Sequence, residues 1–334
     1  PDKITHLGQN DEEATLDHEI GENEIEEENE NELNNPSHTW FNFGGMVLEP
    51  QIGLHNSKLV LLMDFNSLYP SIIQEYNICF STVKYSDSIE KSLSAYASGL
   101  PNSDEPGVLP SEICKLISMR KEIKAALQKS LSAQEKKQLD IKQQAMKIIA
   151  NSVYGCLSFK YSRFHAQHLA SLITFKGREI LLAAKELVEK LNYNVIYGDT
   201  DSLMIETECT DYDQVIEIGQ AIRKQINQQY KSIDIDIDAV FRSILLLKKK
   251  KYAAMSISKG SDGKLNSKRV IKGLDIVRRD YCLFVKEAGE AVVDKILSVG
   301  EQSTSSLLAA ISTPLKQIAN LLRSGPFTPL EKFI

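Results

Sequence analysis

The sequence predicts an α+β fold with an antiparallel sheet, and three observations carry that expectation. Lys58–Phe65 (KLVLLMDF) is an uninterrupted apolar run of strand length that ends in an acid. Val195–Ile205 reads as two short apolar strands around Gly198-Asp199-Thr200-Asp201, a hairpin by its turn residues. Two long helical patterns, Ser111–Ser130 and Gln134–Tyr154, are separated by a turn so short that they form an antiparallel pair.

Asp11–Asn35 is nearly all Glu, Asp and Asn, too poor in apolar surface to offset chain entropy, so it is expected to be disordered. Globular sequence begins near Trp40. The apolar run at Lys58–Phe65 fits a strand covered on both faces. Glu90–Pro110, with Gly99, Pro101, Pro106 and Pro110, reads as a loop. After the helical pair, a third helix fits His168–Leu191, where Ile173, Ile180, Leu181 and Leu187 recur at near-helical spacing. Val240–Ser256 is a further strand region and holds four consecutive lysines. No internal repeat is visible.

The 334 residues carry a formal charge of −6, which reads at first as unfavourable for nucleic acid. Residues 1–35, however, hold 13 Asp+Glu against the single basic residue Lys3, leaving 38 Lys+Arg against 32 Asp+Glu in the remainder. The body is mildly basic and the acidity lies in the tail, which reads as a solvated linker or as an arm competing for a basic groove. No run of 18 apolar residues exists, so no membrane span is expected, and the N-terminal residues lack a secretory pattern. The five cysteines are scattered singly, which disfavours a zinc site or disulfide framework and fits a reducing, intracellular compartment, each cysteine being expected to be buried.

Three constellations point to chemistry. Asp64 ends an apolar strand, and Asp199 and Asp201 sit at a hairpin tip. Carboxylates beside buried strands are costly unless compensated, and Mg²⁺, which takes one or two carboxylates plus phosphate oxygens, compensates them naturally. The competing reading is that these acids only shape turns. On the helical pair, Arg120 and Lys124 share one face, and Lys147, Asn151 and Tyr154 share another. If the faces converge, three cations are placed to grip a triphosphate, whereas surface lysines would be the ordinary alternative. In LLLKKKKYAAM, an extended strand would turn Lys249 and Lys251 one way and Lys248, Lys250 and Tyr252 the other, a basic strand able to track a phosphate backbone. A nuclear-localisation patch and an edge strand protected by lysines are the alternatives.

DFNSLYPSIIQEYNICFSTV (Asp64–Val83), KIIANSVYG (Lys147–Gly155) and YGDTDS (Tyr197–Ser202) resemble, in their usual order, the three polymerase motifs of family B DNA polymerases. The KKKY run, Lys249–Tyr252, is similar to the family's primer-template motif. Within the family, NICF, YGCL and GLDIVRRDYC point to the eukaryotic replicative branch. The resemblance runs from about Asn42 to the C-terminus.

That resemblance implies template-directed DNA synthesis in the nucleus, by two-metal-ion nucleotidyl transfer from a dNTP to a primer 3′-OH. It implies an acidic tail (1–36), a palm in two parts (37–110 and 161–272), helical-hairpin fingers (111–160) and the start of a helical thumb (273–334). Asp64, Asp201 and the backbone carbonyl of Phe65 would hold two Mg²⁺ ions, with Mn²⁺ as a substitute, and Asp199 would lie near them. Ser67, Leu68 and Tyr69 would lie against the nucleotide, the Tyr69 ring under its sugar. Arg120, Lys124, Lys147 and Asn151 would bind the triphosphate, Tyr154 would face the nascent base pair, and Lys249, Lys250, Lys251 and Tyr252 would approach the DNA. Implied partners are a primase and an accessory subunit. The chain reads as a fragment without exonuclease segment or cysteine-rich C-terminal module, and Ser158 stands where the family usually has Gly. The alternatives are a non-catalytic nucleic-acid-binding scaffold and, accounting for less of the pattern, a two-metal nuclease.

Overall fold

In a computed structural model the described residues are 44–84, 105–129, 132–260, 263–298 and 304–324, all within one unit, Phe43–Ile334. The expected disordered tail, the onset at Trp40 and most of the Glu90–Pro110 loop lie outside them. Seven strands form one antiparallel sheet: β1 (Gly53–His55), β2 (Val60–Phe65), β3 (Asn194–Asp199), β4 (Ser202–Glu206), β5 (Ile235–Lys248), β6 (Lys251–Lys259) and β7 (Leu265–Lys272). Their order is β3-β4-β2-β5-β6-β7, with β1 also paired to β5. Seven helices are described: α1 (Leu68–Glu75), α2 (Val108–Lys129), α3 (Ala133–Ser158), α4 (Gln167–Lys190), α5 (Tyr212–Asn227), α6 (Leu283–Ser298) and α7 (Thr304–Ser324). The α+β class is as expected, and among the described residues no helix is long and apolar enough to cross a membrane.

The central strand explains itself. Successive side chains of β2 point to opposite faces, and both faces are covered. Leu61, Met63 and Phe65 join Leu203, Ile205 and the inner sides of α1, α4 and α5 in the larger core. Val60 and Leu62 join Ile196, Tyr197, Met204 and Phe241 in a second core on the other face. Val60, Leu61 and Met63 are fully buried, each stabilising the fold by roughly 1.5–3 kcal/mol. An uninterrupted apolar run is what such a two-sided position requires.

α4 lays Leu169, Leu172, Ile173, Ile180, Leu181 and Val188 into the larger core, as its spacing predicted. α5 was not read from the sequence, although its signals are present. The Asp211 side chain accepts from Gln214 N at 3.1 Å as a helix N-cap, and Val215, Gly219, Ile222 and Ile226 form one buried stripe. Gly219 is a close-approach position, since a Cβ there would lie 2.6 Å from Ile237 Cδ1.

Two expectations are corrected. α2 starts at Val108, inside the stretch read as a loop, because Pro110 falls in its first turn, where a missing N–H costs nothing. Only Cys79 is buried; Cys114 and Cys156 are exposed on α2 and α3, whose described buried residues are few. α3 runs on through Tyr154 and Gly155 to Ser158, whose hydroxyl donates to Gly155 O at 3.2 Å. Ser158 does not have a positive φ, so its backbone does not call for glycine.

Candidate active site

The sheet register brings the acids to one end of its central strands. Asp64 lies opposite Ser202 on one side and Asp236 on the other, and Ser202 in turn lies opposite Asp199. Phe65 N donates to Asp201 O at 2.8 Å, stitching the end of β2 to the β3–β4 turn. That turn is tight: Thr200 has φ 53°, and its N–H donates to Met46 O at 2.8 Å. The segment carrying Met46 reaches the turn because residue 45 is glycine; a Cβ there would sit 2.3 Å from Thr200 Oγ1.

The three motif acids are not equivalent. Burial pushes the Asp64 carboxyl up to about 7, helped by the neighbouring Asp201 and Asp238 carboxylates and opposed by Lys147 and the Phe65 N–H. Burial likewise pushes Asp201 up to about 6, opposed by its own N–H, with Asp199 adding to the rise. Asp64 and Asp201 are thus carboxylates whose charge the protein only partly compensates. Asp199 is already engaged: its Oδ2 accepts from the Tyr197 hydroxyl at 3.3 Å and its Oδ1 from Thr200 Oγ1 at 3.1 Å. Those bonds give Asp199 a holding task in the turn.

Among the described residues no three His, Cys, Asp or Glu groups form a ready-made metal cage. The Asp64–Asp201 pair nevertheless fits Mg²⁺ or Mn²⁺, because its donors are hard carboxylate oxygens under-compensated in place, and Mg²⁺ keeps positions for water and phosphate rather than filling them with protein.

The two faces of the helical pair converge, the condition that the spacing alone left open. Arg120 donates through Nε to Gln143 Oε1 at 3.3 Å across α2 and α3. Lys124 has its pKa lowered by burial and by the nearby Arg120 and Lys147 cations, which places all three charges together. Lys147 also lies within electrostatic reach of Asp64, so this cationic cluster borders the acidic pair. Asn151 Oδ1 is buried without a hydrogen-bond partner. Ser67 opens α1 in a left-handed conformation, φ 50°, with no side-chain cap. The Leu68 side chain is in the core, which leaves its backbone for any contact outside. Tyr69 and Tyr154 meet from α1 and α3 with ring centroids 4.4 Å apart and planes tilted by 40°.

The lysine run is corrected. It is a turn between strands rather than one extended strand: Lys248 ends β5 and pairs with Lys251 at the start of β6, while Lys250 has φ 59°. The alternation of facing expected across the four lysines therefore breaks at Lys249-Lys250. Lys249 pairs with Glu49, and Lys251 with Asp275 at 3.2 Å. Tyr252 packs against Phe241, ring centroids 6.5 Å apart, and its hydroxyl is pushed up to about 12 by burial and then by Asp238 and Asp199. Gly273 is glycine by necessity: at φ 62°, a Cβ would lie 2.0 Å from Lys250 O.

Two site residues escaped the sequence reading. Asp238 lies within reach of Asp64 and Tyr252, carried there where the β2–β5 register skips one residue, so that Leu62 pairs with Ala239 and Met63 with Ile237. The alternating IDIDID of Ile233–Asp238 was the available signal, an acidic edge on an apolar strand. Tyr197, almost fully buried, accepts from Lys250 N at 2.8 Å and donates to Asp199, linking the lysine turn to the acid turn.

An acid pair at one end of the central strands is bordered by cations from a helical hairpin, and the chain belongs to DNA polymerase family B, whose model it matches over residues 16–334. Its relatives are more specific still. It is similar to the DNA polymerase alpha catalytic subunits of Xenopus laevis (49% identity over 294 residues, 86% of this chain and 20% of the relative) and Drosophila melanogaster (50% over 293 residues, 87% and 19%). The corresponding protein of Mus musculus is 46% identical over 297 residues, 87% of this chain and 20% of the relative. The chain spans about a fifth of the length of these curated relatives.

Proposed function

We propose that this chain carries the nucleotidyl-transfer centre of a replicative DNA polymerase, adding nucleotides from dNTPs to a primer 3′-OH under the direction of a template. The observation that carries the reading is the adjacency of two under-compensated carboxylates, Asp64 and Asp201, to the cations Lys147, Lys124 and Arg120. A scaffold that only bound nucleic acid would need neither the buried acids nor their cationic border.

In this reading residues 37–110 and 161–272 form the palm, 111–160 the fingers and 273–334 the start of the thumb, behind the tail of 1–36. Asp64, Asp201 and the Phe65 carbonyl would hold two Mg²⁺ ions, or Mn²⁺, which when bound activate the primer 3′-OH and neutralise the phosphate oxygens. The chain's own residues do the rest. Arg120 and Lys124 meet the triphosphate from α2, and Lys147 and Asn151 meet it from α3. Arg offers a planar fork and Lys a point charge. The backbone of Ser67–Tyr69, at the start of α1, offers N–H groups to the same anion. Tyr69 sits under the sugar and Tyr154 by the nascent base pair. Asp199 holds the turn that presents Asp201. Movement of the helical hairpin toward the acids would complete the site only around a fitting base pair. The nucleus as workplace, with a primase and an accessory subunit for partners, belongs to the same proposal through the alpha-type relatives.

Primer extension by the full-length protein, with Mg²⁺ and four dNTPs, tests it. Templated elongation is the expected result; no elongation with DNA binding intact would favour the non-catalytic scaffold. The lysine turn has its own test. Lys250→Ala should weaken primer-template binding across sequences and lower the slope of log affinity against log salt by about 1, as for one lost phosphate contact. An unchanged slope in a salt titration would remove Lys250 from the DNA contact.

A further inference from the structure

Arg178, on α4, was not singled out by its motif context, yet it stands where three parts of the site meet. Its guanidinium is half-buried, with its pKa lowered by that burial, and lies within electrostatic reach of both the Tyr69 and Tyr154 phenols. Its Nη2 donates to Gly44 O at 3.1 Å. The residues Gly44–Val47 brace the acid turn. Gly45 lies against Thr200, Met46 O accepts from Thr200 N, and Val47 bridges to Asp199.

The next-door residue on α4 faces the tyrosine. A Cβ on Gly177 would make ordinary contacts, 3.4 Å from Tyr69 Cε1 and 3.5 Å from Ile72 Cδ1. The Tyr69 ring thus faces Gly177 of α4, is flanked by Tyr154 at 4.4 Å, and is bordered by a cation that is itself tied to the brace of the acid turn.

The geometry points to Arg178 as a positioning residue for sugar recognition: it holds the Tyr69–Tyr154 pair in register with the Asp199–Asp201 turn, so that the ring under the nucleotide sugar cannot retreat from a 2′-hydroxyl. This rests on the reading of Tyr69 as the residue beside the sugar. A steric filter discriminates only as far as its wall is rigid, and rejection of the wrong sugar is a difference between two transition-state energies. A displacement of order 1 Å in a positioning group is enough to change rates by orders of magnitude. Arg suits the task because its planar fork offers several donors in fixed directions, so one can engage Gly44 O while the plane stays beside the phenols; Lys offers a single charged point.

The test compares kcat/KM for dNTPs and rNTPs in primer extension by the full-length protein, its Arg178→Ala and Arg178→Lys variants, and Tyr69→Ala as reference. Arg178→Ala should lower the dNTP/rNTP ratio by about ten-fold, the scale of one pocket contact, with Arg178→Lys between it and the parent protein. Combined with Tyr69→Ala, it should add no further loss of selectivity, because the two act through one wall. If Arg178→Ala slows both sugars equally while Tyr69→Ala abolishes discrimination, Arg178 merely supports the fold and the proposal falls alone. If Tyr69→Ala leaves discrimination intact, the placement of Tyr69 falls, and this proposal with it.

Discussion

Replacing Asp201 with Asn is expected to abolish nucleotide addition while leaving primer-template binding within about two-fold. The exchange is nearly isosteric, so the β3–β4 turn, held by Thr200 N to Met46 O and Phe65 N to Asp201 O, keeps its bonds. What it removes is one of the two carboxylates suited to a divalent cation. Charge stabilisation by such a cation is worth several kcal/mol, and a loss of about 4 kcal/mol corresponds to roughly a thousand-fold in rate. DNA affinity, in contrast, is expected to depend on the Lys248–Lys251 turn, which the substitution does not touch. Single-turnover extension paired with a DNA-binding titration separates the two quantities. Asp199→Asn is the informative companion: since both Asp199 oxygens already accept from Tyr197 and Thr200, its loss should be smaller than that of Asp201→Asn. Extension at the parent rate by Asp201→Asn would dismantle the assignment of the site.

Without divalent metal, Asp64→Asn should stabilise the fold at pH 8 and leave it unchanged near pH 3. The folded-state pKa of Asp64 is raised to about 7 from 3.8, first by burial and then by Asp201 and Asp238. Between those values the folded state binds more protons than the unfolded state, so stability falls as pH rises through this window. The penalty is complete above pH 7 and absent well below 3.8. A rise of about three pH units corresponds to ~4 kcal/mol, which solvent access to the carboxylate reduces to about 2 kcal/mol, or several degrees in Tm. Thermal unfolding of both proteins across pH in EDTA measures the difference. Adding Mg²⁺ should stabilise the parent more than the variant, because the cation binds the native site and offsets the cost of its charge. A variant less stable than the parent at pH 8 in EDTA would show that Asp64 is compensated within the protein.

Much of this site was legible because its residues are close in sequence. Asp64, Phe65, Ser67, Leu68 and Tyr69 lie along one strand end and the helix that follows it, and Asp199 and Asp201 lie in one turn. Helical spacing placed Arg120 with Lys124, and Lys147 with Asn151 and Tyr154, on shared faces. The lysine run was misread for a local reason. Strand alternation assumes a continuous strand, and four identical residues gave no sign that Lys249-Lys250 turns the chain. α5 was missed although its cap and apolar stripe were available.

Other features were not legible from local pattern. Asp238 needed the skipped residue in the β2–β5 register, which no local pattern announces. Tyr197 needed the approach of Lys250 N, 53 residues away in sequence, and Arg178 needed the chain to return to Gly44, 134 residues earlier.

The sequence by itself determined the α+β class, the two-sided central strand, the helical pair and the placing of acids at a strand end and a hairpin tip, since periodicity and turn residues are local properties. Only the tertiary structure decided which acids are under-compensated and which is already hydrogen-bonded, and what braces the tyrosine pair. Those are matters of burial and of distance between residues remote in the chain. The same two carboxyl groups that look alike in YGDTDS are made different by where the fold puts two hydroxyl groups.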